Sequence, residues 1–229
     1  MKKRRVAVIA GTPVDTRMGV DYIEKKNTDT GSHICEPVYL PAAGSCDEQV
    51  KFQYSSDYDK RAHMDEIFDA AIADGVRDFF IYCNSLSGAF DFDSYEAEKN
   101  AELKIHIYTP LQIYRNLGKE YSRVGVMAAN NLSAHAIEAA LMSTNPDIYV
   151  IGTGNMSVVR AIEEGRPPQD IVRSLGLAAM LDYMQASGAE AIILGCTHFP
   201  YLKEDLSELT GLPLIDPADL MFSKLLQNG

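Results

Sequence analysis

Short apolar runs alternate along the chain with longer stretches of helical spacing. Residues 5–10, 34–40, 105–108, 122–128, 147–151 and 212–215 read as strands, as do the runs that lead into Cys83 and Cys196. Residues 20–26, 59–74, 90–103, a stretch ending near 142, 158–165, 167 to about 187 and 216–227 read as helices; within 59–74, Met64, Ile67, Phe68, Ala71 and Ile72 recur at helical spacing. Strands alternating with helices call for parallel sheets. Residues 11–19 and 41–57 read as loops, the second long enough to act as a lid or an interface.

The pattern repeats. Gly75-Val76-Arg77-Asp78-Phe79-Phe80-Ile81-Tyr82-Cys83-Asn84-Ser85 matches Gly188-Ala189-Glu190-Ala191-Ile192-Ile193-Leu194-Gly195-Cys196-Thr197-His198 at one offset, 75 to 188 and 83 to 196. Both run from glycine through an apolar strand to a cysteine and two polar residues. A second echo joins Arg5-Val6-Ala7-Val8-Ile9-Ala10 to Arg123-Val124-Gly125-Val126-Met127-Ala128. The expected fold is therefore α/β, with two pseudo-symmetric α/β domains, each a mainly parallel sheet flanked by helices. The expected boundaries are residues 1–110 plus 214–229 for the domain of Cys83, and 111–213 for that of Cys196.

Composition narrows the partners. With 229 residues, 46% hydrophobic and 23% charged, the chain can bury a proper core. A net charge of −11 argues against nucleic acid, which needs a basic surface. No apolar run reaches the roughly 20 residues of a membrane span, and the basic start leads into a strand too short for a signal core. A cytoplasmic protein with no membrane partner is expected. The four cysteines form no CxxC pair and no zinc-type spacing with the histidines. There is no glycine-rich phosphate fingerprint and no ligand cluster, so neither cofactor nor metal is expected. Cys35 and Cys46 read as incidental thiols.

A cysteine just past a strand and before a helix start lies where open α/β sheets bind ligands, and helix-start amides favour its thiolate. A buried cysteine is by default a small core hydrophobe. Nucleophilic hydrolysis would need one cysteine with a paired base, and the spacing of His198 to Cys196 does not guarantee that contact. Redox exchange would want an adjacent resolving pair. Two equivalent thiols suit stereoinversion at a carbon acid, where one group removes a proton from one face and the other returns one to the opposite face. Asn84 and Ser85 offer donors for a carboxylate. Asp15, Thr16 and Arg17 are the polar groups of the loop after the first strand, read equally as a substrate loop or as a helix cap with a solvated arginine. Asn130 opens the corresponding stretch of the second half.

Tyr82-Cys83-Asn84-Ser85 and Leu194-Gly195-Cys196-Thr197-His198-Phe199-Pro200 resemble the two cysteine motifs of the aspartate/glutamate racemase family, and Ala161-Ile162-Glu163-Glu164-Gly165 resembles a third segment of its glutamate racemases. The resemblance implies a cofactor-independent racemase with the active site between two domains, commonly a homodimer. It makes Cys83 and Cys196 the acid/base thiols, with Asn84, Ser85 and Thr197 as carboxylate donors. His198 and Glu163 would assist the cysteine or the substrate ammonium. The family's Asp-Ser-Gly loop is absent; Thr12, Asp15 or Thr16 would have to substitute, which leans the reading toward aspartate or a broader acidic amino acid. The expected function is L/D interconversion of aspartate or glutamate. The alternatives are a sibling isomerase, such as a hydantoin racemase or maleate isomerase, and a binding protein that lost turnover.

Overall fold

The computed structural model describes residues 3–31 and 35–228; Ile34, the expected start of the second strand, lies outside them. The first part of the chain forms β1 (Arg4–Ala10), α1 (Pro13–Asp29), β2 (Cys35–Pro41), α2 (Cys46–Tyr54), α3 (Asp57–Ala73), β3 (Asp78–Ile81), α4 (Asn84–Ala89), α5 (Phe92–Lys99) and β4 (His106–Tyr108). After α6 (Pro110–Leu117) come β5 (Arg123–Ala128), α7 (Asn131–Met142), β6 (Tyr149–Gly154), α8 (Met156–Glu163), α9 (Pro168–Ser174) and α10 (Leu177–Ala186). β7 (Ala191–Gly195), a 3₁₀ turn (Phe199–Leu202), α11 (Lys203–Ser207), β8 (Leu214–Ile215) and α12 (Pro217–Gln227) complete the chain.

Among the described residues the strands form two four-stranded sheets, ordered β2-β1-β3-β4 and β6-β5-β7-β8, and every pairing is parallel. The repeat in the sequence is thus a repeat of topology: β1 and β3 hold the places in their sheet that β5 and β7 hold in theirs. The apolar runs are continuous because these inner strands are covered on both faces. Val6 through Ala10, Phe79 through Ile81 and Ala191 through Ile193 have no solvent exposure. β2, an edge strand, is half-exposed and tolerates Pro37 and Pro41. In the first sheet's core Phe68 of α3 stacks on Phe79 with centroids 4.2 Å apart, and Tyr95 meets Phe68 edge-on at 4.9 Å.

Four local expectations change. Residues 13–19 belong to α1, because Thr12-Pro13-Val14-Asp15 is a helix start: Thr12 caps, Pro13 is the first helical residue and Asp15 completes a capping box. Residues 41–57 are not a long loop but carry α2, capped by Ser45 with Asp47 and Glu48 in its first turn. The single helix expected from 167 is two, α9 and α10, parted at Gly176, whose φ of 70° suits glycine. Finally, the chain divides into one unit of Met1–Pro110 with Met221–Gly229 and another of Leu111–Leu220. β8 pairs with β7, so residues 214–220 lie in the second unit rather than the first.

Arg4 ties the first unit together at the amino-terminal ends of its strands. Its guanidinium makes a two-pronged contact with Asp78 of β3, donates to Tyr108 Oη of β4 at 3.1 Å and donates to the Leu225 carbonyl of α12 at 2.7 Å. Asp78 is buried. Removing one partner of a buried ion pair strands the other, at about 3–5 kcal/mol. Because Arg4 retains some exposure (17% of its side chain), Arg4→Met is expected to cost near the low end of that range, about 3 kcal/mol. Denaturant unfolding checks this, and a midpoint equal to the parent's would refute it.

Candidate active site

In a sheet ordered 2-1-3-4 the chain leaves β1 toward one edge and returns past it to β3, so the crevice at their carboxyl ends is left open as a binding place. Gly11 and Thr12 follow β1 there, and Cys83, Asn84 and Ser85 follow β3. In the second sheet the same place lies between Asn130, after β5, and Cys196, Thr197 and His198, after β7. Sheet topology therefore gathers most of the site residues read from the sequence at two equivalent positions, one in each unit.

Cys83 is the N-cap of α4, and its Sγ accepts the Leu86 amide at 3.4 Å. The Ser85 hydroxyl lies 3.3 Å from the same sulfur. A third polar group arrives from α2: Gln49 Nε2 is 4.0 Å from Cys83 Sγ and donates to Ser85 Oγ at 3.2 Å. Donors around a sulfur stabilise negative charge on it. Cys83 and Asn84 are both buried. Gln49 is absent from the sequence reading because residues 41–57 showed no apolar period; the Ser45 cap and the acidic turn after it were the available signal.

Thr12, Asp15 and Thr16 serve the cap of α1. The Asp15 carboxylate accepts from the Thr12 amide at 2.6 Å, the Thr12 hydroxyl at 2.9 Å and the Gly11 amide at 3.2 Å. Thr16 Oγ1 donates back to the Thr12 carbonyl at 2.6 Å and is fully buried. Arg17 lies over the Tyr39 ring, 5.1 Å from its centroid.

In the second unit Cys196 Sγ is 3.6 Å from His198 Nδ1, and His198 Nε2 is 3.2 Å from Glu163 Oε1 at the end of α8. The contact that sequence spacing left open is made. His198 takes helical backbone angles just before the 3₁₀ turn, which folds its ring back beside the thiol. A carboxylate on Nε2 selects the tautomer with its proton there, leaving the Nδ1 lone pair facing sulfur. The imidazole is nearly fully buried, at 3% exposure, so the hydrogen bond also satisfies an interior polar group. Tyr114 of α6 is fully buried; burial, with Asp216 and Cys196 adding to it, pushes its phenol well above the ordinary tyrosine pKa and keeps it a neutral hydroxyl. Nothing in the sequence linked it to the site.

Thr197 is buried beside this group. Asn130 caps α7, its Oδ1 accepting from the Ser133 amide at 2.8 Å and hydroxyl at 3.0 Å. Gly154 at the end of β6 permits that turn: a methyl built on it would lie 2.3 Å from the Asn130 carbonyl carbon and 2.5 Å from the Asn131 nitrogen. Gly154→Ala is therefore expected to displace the Asn130 turn and impair the site while Ser157→Ala, nearby on α8, does not; parallel assays of the two variants check this. Of the remaining thiols, Cys35 is buried at the start of β2, with burial raising its pKa, and Cys46 opens α2.

The profile of the Asp/Glu/hydantoin racemase family matches residues 105–225, more than half of the chain. The chain belongs to this family. Among curated relatives, a glutamate racemase of Beutenbergia cavernae is 28% identical over 153 residues, covering 66% of this chain and 52% of its own length. One from Limosilactobacillus reuteri is 31% identical over 101 residues, 43% of this chain and 38% of its own. The chain thus spans about half or less of the length of these relatives. Its fold is that of solved family members. A glutamate racemase of Francisella tularensis in complex with D-glutamate superposes with a TM-score of 0.69 at 21% identity, covering 100% of this chain and 83% of that one. The aspartate racemase of Picrophilus torridus gives 0.65 at 13% identity, covering 98% and 94%.

Proposed function

We propose that this protein interconverts the enantiomers of aspartate or glutamate by moving a proton at Cα, with Cys83 and Cys196 serving opposite faces. The observation that carries the reading is the pair of thiols at the carboxyl ends of equivalent strands, β3 and β7, each with polar partners of its own. Names of relatives support the substrate class: several are glutamate racemases and a neighbour of like fold is an aspartate racemase.

In one direction the Cys83 thiolate takes the Cα proton, so that C–H breaks and S–H forms. The electron pair passes into the substrate carboxylate as an enolate, and the Cys196 thiol returns a proton to the other face. In the reverse direction the Cys196 thiolate takes the Cα proton and the Cys83 thiol returns one to the other face. Between turnovers His198 Nδ1 exchanges a proton with Cys196, and Glu163 stabilises the imidazolium when the proton rests there. Asn84, Ser85 and Thr197 hold the substrate carboxylate. The reading extends to a cytoplasmic homodimer that needs neither pyridoxal phosphate nor metal, with activity that survives a chelator.

Circular dichroism followed over time on single enantiomers of aspartate and glutamate, with hydantoins alongside, tests the proposal. Decay of signal toward zero with either acid is expected. Signals that stay constant for both acids would refute it. One second reading has a specific basis: Cys196, His198 and Glu163 alone would serve a nucleophilic thiol. That reading leaves Cys83 dispensable for turnover.

A further inference from the structure

Gln49 is 6% exposed, yet its Oε1 has no hydrogen-bond partner among the described residues. Buried polar atoms are nearly always paired, so an orphaned acceptor calls for an explanation. The rest of the side chain is firmly held. Nε2 donates to Ser85 Oγ at 3.2 Å and lies 4.0 Å from Cys83 Sγ, while the carboxamide packs over Gly11 so closely that a methyl on that glycine would lie 2.7 Å from Gln49 Cδ. The amide orientation agrees with its neighbours. With Cys83 as the thiolate of the proposed mechanism its Sγ only accepts, so the carboxamide presents Nε2 to it and to Ser85 Oγ, and Oε1 falls on the other side.

A ligand donor beside Ser85 and Cys83, which Nε2 of the same carboxamide reaches, would satisfy Oε1. A thiolate and a carbonyl oxygen together disfavour a carboxylate there and favour a cation. An amino acid carries one such group next to its reacting carbon.

We propose that Gln49 contacts the substrate directly, its Oε1 accepting a hydrogen bond from the α-ammonium while Nε2 holds Ser85 and Cys83. This rests on the racemase reading and assigns to α2 the recognition of the amino group. The consequence is selectivity: the site should distinguish an amino acid from the same diacid lacking its nitrogen, through this one side chain.

The test is calorimetric binding of aspartate and glutamate against succinate and glutarate, for the parent, Gln49→Met and Gln49→Glu, with folding checked by circular dichroism. Gln49→Met fills the same space without an acceptor. Loss of the Nε2 contact to Ser85 weakens both ligands, and loss of the acceptor is expected to weaken the amino acid about ten- to a hundredfold more than the diacid. Gln49→Glu retains the acceptor and should keep the parent's ratio of amino acid to diacid or raise it. A ratio unchanged in Gln49→Met, or equal weakening of both ligands, would overturn the assignment alone. A parent protein that binds and racemises neither amino acid would remove the racemase reading and the assignment with it.

Discussion

Cys83→Ala and Cys196→Ala are each expected to abolish racemisation yet to exchange the Cα proton of one enantiomer, a different one in each variant. The expectation follows from the proposed mechanism, in which two thiols serve opposite faces. Without one of them no acid remains to return a proton on that side, so inversion stops. The surviving thiol can still remove the proton on its own face, trade it with solvent and put it back, so deuterium enters without inversion. Proton NMR of L and D substrate in heavy water reads both outcomes, with circular dichroism as the check of folding. The nucleophilic alternative makes the opposite forecast for one variant, since Cys83→Ala would then keep turnover. Both variants exchanging the same enantiomer, or either racemising at the parent rate, would overturn the two-thiol mechanism.

The inner strands were legible because they are covered on both faces, which makes their apolar runs continuous and sharply bounded. Their repetition carried further than any one motif. It matched Cys83 to Cys196 before any topology was known, and the two sheets share one strand order. Helix starts were less legible where capping, not periodicity, sets them. Thr12-Pro13-Val14-Asp15 spelled out a capping box inside a stretch read as a loop, and the side chains proposed there as substrate contacts bond to one another. α2 is similar, polar along much of its length, so only its Ser45 cap and the acidic turn after it announced it.

Contacts made across the sheet ends were beyond the sequence for a different reason. Gln49 reaches Ser85 from another element, and Glu163 reaches His198 from the end of α8. Local spacing holds no information about such distances. For Cys196 and His198 spacing was uninformative in itself, because residues two apart point away from each other on a helix and, though they share a face of a strand, stand about 6.6 Å apart there. They meet because the chain turns sharply between β7 and the 3₁₀ turn. The two thiols consequently sit in unlike settings: Cys83 among N–H and O–H donors, Cys196 against an imidazole backed by a carboxylate.

That asymmetry yields the second large effect. His198→Ala is expected to slow deuterium exchange of the enantiomer deprotonated by Cys196, by about 10²- to 10⁴-fold if the imidazole acts as a positioned base for the thiol. Exchange of the other enantiomer, which depends on Cys83 and its donors, should persist. The enantiomer affected must be the one that Cys196→Ala silences, so the cysteine variants assign the expected side in advance. Glu163→Gln should act on that same enantiomer and more weakly, because an amide oxygen still accepts from Nε2–H but no longer stabilises an imidazolium by charge. Racemisation is expected to fall in both directions in these variants, since each turnover of the proposed mechanism uses both thiols; only exchange resolves the faces. His198 is almost fully buried, so a purely structural part for it makes a definite contrary forecast. Loss of packing would loosen the turn and slow both enantiomers together, and such parallel slowing in folded His198→Ala would eliminate the relay.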